Sequence, residues 1–134
     1  MGVKLSEKEF GEIRTGVIGV GSMGQNHARV YNEISNLVAV ADTDRIQGQK
    51  IANRFGIEWY EDYRDMLDMV DAVTVAVPTS LHRKVVNIIS KEGVNILVEK
   101  PIAGCVEDAE FILDSASKAG ITLAVGHIER YNPV

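Results

Sequence analysis

The stretch Gly16-Val17-Ile18-Gly19-Val20-Gly21-Ser22-Met23-Gly24 constrains this chain more than any other. An apolar run leads into it, a segment of helical periodicity leaves it, and Gly19-x-Gly21-x-x-Gly24 joins the two. In a strand–turn–helix junction of this spacing each glycine has its own task. Gly19 lets the chain turn tightly out of the strand. Gly21, without a Cβ, lets backbone come close to a pyrophosphate, and Gly24 lets the new helix pack closely on the sheet. The helix that follows then points unpaired N–H groups and the positive end of its dipole at the phosphates. Glycine-rich turns are common, so the motif needs its context. An acid, Asp42, ends the next apolar run about 20 residues on, where a dinucleotide fingerprint requires one. The competing reading is an ordinary strand-to-helix turn.

With 134 residues, 46% hydrophobic and 25% charged, the chain is expected to be one globular domain with a real core. A net charge of −5 argues against nucleic acid or an anionic membrane surface as partner. No apolar run approaches the roughly 18 residues of a membrane span, and no basic-then-apolar leader opens the sequence given. A cytoplasmic location is therefore expected. The single cysteine, Cys105, excludes an internal disulfide and a cysteine-based metal site, and no metal is expected. Cys105 stands just before a helical pattern, where a thiol is either activated or, as the alternative, buried and inert. Met1-Gly2-Val3-Lys4-Leu5-Ser6 fits the short N-myristoylation pattern, which also matches often by chance.

Along the chain, residues 1–13 read as a polar arm, with Ser6 and Glu9 at capping-box spacing. Residues 14–134 read as the folded domain. Strands are expected at 14–18, 37–41, 58–60, 72–77, 95–98 and 121–125. The runs Leu37-Val38-Ala39-Val40-Ala41 and Ala72-Val73-Thr74-Val75-Ala76-Val77 are almost unbroken, as in parallel strands buried on both faces. Helices are expected over 23–34, with Met23, Ala28, Val30, Tyr31 and Ile34 apolar, and over 45–55, with Ile51, Ala52 and Phe55. One or two helical turns span 62–69. A further helix follows Pro78, capped by Thr79 or Ser80, with Leu81, Val85, Ile88 and Ile89 on one face. The last, starting near Val106, carries Ala109, Ile112, Leu113 and Ala116. Gly56, Gly93 and Gly120 stand at the stops. Trp59 reads as packing beside a short strand rather than as a stacking platform.

Alternation of this kind predicts an α/β fold, a doubly wound and mostly parallel sheet of the Rossmann type with strand order 3-2-1-4-5-6. Ligands bind such sheets beyond the carboxyl ends of the strands. The glycine turn, Asp42, Pro78-Thr79, Glu99-Lys100-Pro101 and Gly126-His127 all follow strand ends, so they are expected to converge on one rim.

Asp42 suits the two adenosine ribose hydroxyls and would repel a 2′-phosphate, which favours NAD over NADP. Arg45 nearby can accommodate that phosphate, and a helix cap is the competing role for Asp42. Lys100, directly after a buried strand and followed by Pro101, is held on the rim. Its ammonium can donate to a cofactor ribose hydroxyl and a substrate hydroxyl, or tune a proton transfer. A surface lysine beside a turn proline is the alternative.

Taken together, Gly19-x-Gly21-x-x-Gly24, Asp42, Pro78-Thr79-Ser80-Leu81-His82, Glu99-Lys100-Pro101 and Arg130-Tyr131-Asn132-Pro133 resemble the nucleotide-binding half of the glucose–fructose oxidoreductase and inositol dehydrogenase family, Gfo/Idh/MocA. The resemblance implies NAD(P)-dependent oxidation of a sugar or cyclitol hydroxyl, with catalytic Lys100 contacting the nicotinamide ribose and substrate. It implies a cofactor site of Gly19, Gly21, Ser22, Met23, Gly24, Asp42, Pro78, Thr79, His82, Glu99 and Lys100, and a homo-oligomer. His82 otherwise reads as a plain first-turn helix residue. The run Gly126-His127-Ile128-Glu129-Arg130-Tyr131-Asn132-Pro133 is similar to the branch acting on the 3-hydroxyl of UDP-N-acetylglucosamine-type sugars.

Family members carry a second α/β domain after the Asn-Pro position, supplying an Asp and a His beside the lysine. The present sequence ends at Val134, so the expectation is the cofactor half of an enzyme, inactive alone. A free-standing NAD-binding sensor or regulatory module would also keep the glycine turn and Asp42, but it would have no need of Lys100.

Overall fold

Residues 9–126 are described by a computed structural model. A 3₁₀ turn at Phe10–Glu12 leads into β1 (Arg14–Ile18), α1 (Ser22–Ile34), β2 (Asn36–Ala41), α2 (Arg45–Phe55) and β3 (Glu58–Tyr60). A 3₁₀ turn at Tyr63–Met69 carries the chain across to β4 (Ala72–Val75). Another at Thr79–Leu81 runs straight into α3 (His82–Lys91), followed by β5 (Asn95–Glu99), α4 (Val106–Ala119) and β6 (Leu123–Gly126). The six strands form one sheet, every pair parallel, in the order β3-β2-β1-β4-β5-β6. This is the doubly wound order expected from the alternation of strands and helices. The Ser6–Glu9 capping box, the Gly2 pattern and the 126–133 motif reach or lie outside the described residues.

The apolar runs became strands because both of their faces are covered. Successive side chains alternate across a sheet, and neighbours along one strand accordingly enter different cores. Val17, Val40, Ala28, Ile51 and Ala52 form a cluster under α1 and α2. Ile18, Ala41, Val75 and Val98 join Val85, Val86, Ile89 and Ile112 on the opposite face, under α3 and α4. Register then sets the rim. Ile18 lies beside Ala41 and Val75, and Val75 beside Val98. The next residues, Gly19, Asp42 and Ala76, leave the sheet at one level, where Glu99, paired with Gly126, ends β5.

Several local expectations need correction. β4 stops at Val75, two residues early, because the chain is already turning toward Pro78. Neither Thr79 nor Ser80 caps α3; the 3₁₀ turn runs into it through Leu81, with no side-chain cap. Met23, Val30 and Ile34 are exposed, at 42%, 38% and 54%. α1 meets the sheet through its small residues Gly24 and Ala28 instead. Leu113, at 54%, is also outside the core, which α4 enters through Ile112 and Ala116. Cys105 is exposed and makes no capping bond, so its expected burial as the alternative does not hold. The glycine stops are as read: Gly56 and Gly120 are left-handed, and Gly93 follows the α3 cap at φ 73°.

The junction of β1 and α1 depends on two glycines. Gly19 has φ +87°, and a Cβ there would lie 2.6 Å from the Ala76 carbonyl oxygen. A Cβ on Gly24 would lie 1.7 Å from the carbonyl oxygen of Gly19. Backbone cannot step aside as a side chain can, so Gly24→Ala should lift α1 from β1. The expected cost is about 3 kcal/mol or more, read as a clear fall in melting temperature. An unchanged melting temperature would show that the junction yields.

Candidate cofactor-binding site

α1 begins without any side chain to satisfy its first N–H groups. Its N-cap is Gly21, no side-chain cap bond forms, and its first turn holds no acid. α2 differs: the Asp44 carboxylate accepts the Gln47 N–H at its start. The bare helix end at α1 leaves orphan donors and a positive dipole end facing the rim, an arrangement suited to phosphate. Gly21 faces open space, with nothing within 4 Å of where its Cβ would be. The residues present therefore fit a pyrophosphate laid against the turn.

Asp42 is tied into that turn. Its Oδ2 accepts the Val20 N–H at 2.9 Å and its Oδ1 accepts the Asp44 N–H at 2.8 Å. Gln47 donates from Nε2 to the Val20 carbonyl, and the Trp59 indole N–H donates to the Asp42 carbonyl. The capping role weighed for Asp42 belongs to Asp44. Each Asp42 oxygen keeps a free lone-pair direction for a hydroxyl donor. Trp59 is packing, as read: its indole fills the space beside Gly48, where a Cβ would come within 2.1 Å of Nε1.

A cleft of about 340 Å³ opens at the ends of β1, β2 and β4. Gly19, Gly21, Asp42 and Pro78 line it, together with Thr43, Glu61, Tyr63, Leu81 and Val85. Sequence reasoning missed these last five as site residues. Glu61 carried a readable signal, since it follows a strand end one position beyond the Ala41–Tyr60 pair. Leu81 shares its periodicity with Val85, Ile88 and Ile89, but it is 44% exposed and forms an apolar wall of the cleft. Asp62 caps the turn carrying Tyr63, and its hydrogen bonds from Arg64 hold its carboxyl down to about 2.

The other predicted residues separate into distinct places. Ser22 and Met23 are exposed at the start of α1, and Thr79 is half-buried just past Pro78. Lys100 is exposed at the end of β5, outside the cleft, and precedes a cis peptide to Pro101. Glu99 is buried, its carboxylate turned back toward α1 and bonded to His27 Nε2. His82 does not border the cleft. It is 1% exposed, with Nδ1 3.0 Å from the Ile102 carbonyl oxygen and Nε2 3.0 Å from that of Val77. A carbonyl only accepts, so the ring N–H donates to one of the two, the choice depending on the tautomer. His82 thus staples the turn after β4 to the loop carrying Lys100.

The family model described as an oxidoreductase family with an NAD-binding Rossmann fold, GFO_IDH_MocA, matches residues 13–127. The chain belongs to this family. Among Gfo/Idh/MocA relatives, UDP-N-acetylglucosamine 3-dehydrogenase of Acidithiobacillus ferrooxidans is 36% identical over 121 residues, covering 90% of this chain and 39% of that protein. Its crystal form P21 superposes with a TM-score of 0.88 at 36% identity, covering 91% of this chain and 40% of that one. The NAD(+)-dependent scyllo-inositol 2-dehydrogenase of Bacillus subtilis is 30% identical over 128 residues, covering 91% of this chain and 37% of that protein. The WlbA dehydrogenase of Bordetella pertussis, in complex with NADH and UDP-GlcNAcA, superposes with a TM-score of 0.79 at 28% identity, covering 85% and 36%. The chain therefore spans well under half the length of the relatives it matches.

Two substitutions test the exposed turn and the buried staple of this Gfo/Idh/MocA domain. Gly21→Ala should leave the melting temperature within about 2 °C of the parent, because its Cβ meets no protein atom, yet weaken NADH binding in a fluorescence titration. His82→Ala should cost about 2–4 kcal/mol in urea denaturation, through a buried carbonyl left without its donor and the cavity behind it. A loss under about 0.5 kcal/mol would remove its role as a staple.

Proposed function

We propose that this chain binds the NAD(H) of an oxidoreductase that oxidises a sugar or cyclitol hydroxyl, and that Lys100 is the chain's catalytic residue. The observation that carries the reading is the convergence at one sheet rim of an uncapped helix end, a carboxylate locked to the glycine turn, and an exposed lysine one strand beyond the cleft. The adenosine end is assigned to the cleft between Asp42, Tyr63 and Leu81. The pyrophosphate is assigned to Gly19, Gly21, Ser22, Met23 and Gly24, and the nicotinamide end to Pro78, Thr79 and Lys100. Glu99 and His82 support this end from behind. A bound nicotinamide supplies the hydride acceptor, and the Lys100 ammonium orients a cofactor ribose hydroxyl and the substrate hydroxyl. The chain alone is expected to bind NAD(H) without turning over sugar.

The substrate is proposed to be a nucleotide sugar oxidised at its 3-hydroxyl. Support comes from the 36% identity to a UDP-N-acetylglucosamine 3-dehydrogenase and from WlbA, whose structure holds UDP-GlcNAcA. The motif at 126–133 agrees with this branch.

NAD is proposed over NADP because a 2′-phosphate would meet the Asp42 carboxylate, with Glu61 on the same cleft. Calorimetric titration should give tighter binding of NADH than of NADPH, despite Arg45 at the start of α2. Asp42→Ala should close the gap mainly by weakening NADH, since charge-assisted bonds to the ribose contribute about 1.5–3 kcal/mol. Equal affinities for both cofactors in the parent chain would refute the preference.

A further inference from the structure

The end of β5 holds a polar chain that the assigned cofactor contacts do not use. Along β5, Ile96 and Val98 enter the core under α3 and α4. Strand alternation therefore sends Glu99 to the α1 side. There its carboxylate is 8% exposed as a residue and is caged on three sides. Oε1 meets His27 Nε2 at 2.5 Å, Oε2 accepts the Lys100 backbone N–H at 3.2 Å, and Gly126 of β6 lies close enough that a Cβ would come within 3.2 Å of Oε2.

Behind His27 the chain continues. Its Nδ1 lies 3.3 Å from the Thr74 hydroxyl of β4, which lies 2.7 Å from the Tyr31 hydroxyl. One direction of donation satisfies every member. Tyr31 donates to Thr74, Thr74 donates to Nδ1, and Nε2–H donates to the carboxylate, which can only accept. Burial pushes the Tyr31 phenol above its ordinary value, against the opposing effect of its bond to Thr74, which suits a donor at the head of the chain. Bonds aligned in one direction polarise one another.

We infer that His27 is a positioning residue for Lys100, acting through the Glu99 carboxylate. His27 orients that carboxylate, the carboxylate holds the Lys100 N–H, and the backbone at residue 100 determines where the ammonium stands. His82 pins Ile102 on the far side of the same loop. Lys100 is thereby bracketed by a histidine from α1 and another from α3. The inference rests on the proposed contact of Lys100 with the nicotinamide half of the cofactor.

The test titrates the full chain with NADH and with ADP, which lacks the nicotinamide half. Lys100→Ala should weaken NADH and leave ADP unchanged. His27→Leu should weaken NADH by about tenfold, the effect of losing a hydrogen bond to a charged group, with ADP again unchanged. His27→Gln, whose amide N–H can still reach the carboxylate, should recover NADH affinity to within about twofold of the parent. In the Lys100→Ala background, His27→Leu should have no further effect, since the two act in series.

If His27→Leu does not fold, Glu99→Gln removes the charge at nearly constant shape and should give the same NADH-selective loss. An equal loss of ADP and NADH would mark His27 as scaffold only and overturn the inference. So would full additivity of His27→Leu and Lys100→Ala. A Lys100→Ala chain that binds NADH like the parent would remove the Lys100 assignment itself, and the inference with it. A loss seen in Lys100→Ala but not in His27→Leu would overturn the inference alone.

Discussion

The contact between Gly24 and the Gly19 carbonyl is the constraint on which the rest depends. Because no Cβ intervenes, the first turn of α1 sits directly against the end of β1. That approach aims the bare helix end at the rim, and it also determines what the following turns of α1 meet. Ala28 reaches the core under β1 and β2, while His27 and Tyr31 reach Thr74 on β4 and Glu99 on β5. The glycine that seats α1 on β1 thus carries a second consequence two strands away. One helix placement links the glycine turn to the loop of Lys100.

Carboxylates at three strand ends have three environments and three uses. Asp42, half-buried, is held by two backbone N–H groups and keeps capacity for hydroxyl donors. Glu61 is exposed on the cleft wall, where water stabilises its charge. Glu99 is buried, and a buried charge is tolerated only when paired and hydrogen-bonded. His27 and the Lys100 N–H meet that requirement, so the charge nearest the proposed reacting end is spent on orientation. The same economy appears in His82, a buried ring whose polar atoms both face backbone. Each histidine of the described residues is structural in its contacts, and Lys100 is left as the exposed cation of its loop.

What could be read directly from the sequence was whatever depends on local backbone chemistry. Three glycines at their spacing carried the turn, and unbroken apolar runs carried the buried strands. Glycines 56 and 120 carried the helix stops, because a left-handed residue is favoured there for lack of a Cβ. Alternation of strand and helix then left one ordinary topology, since crossovers are right-handed. Asp42 was legible for the same reason, as an acid at a strand end whose position follows from topology.

Side-chain direction was decided only in three dimensions. His82 reads from sequence as a rim residue because it follows a strand end, yet its ring turns inward to two carbonyls, one of them 20 residues further on. Met23, Val30 and Ile34 have core chemistry but lie outside, since α1 approaches the sheet through Gly24 and Ala28, and periodicity records hydrophobicity rather than distance. Glu99 reads from sequence as a rim residue, and its carboxylate is bonded to a histidine 72 residues earlier, on a helix beneath the rim. The sequence by itself determined the fold, the rim and the glycine turn, because local conformation and burial of continuous apolar runs follow from neighbouring residues. Which polar groups face the cleft and which face each other was decided by the tertiary structure, because a hydrogen bond depends on the position of a partner that sequence distance does not reveal.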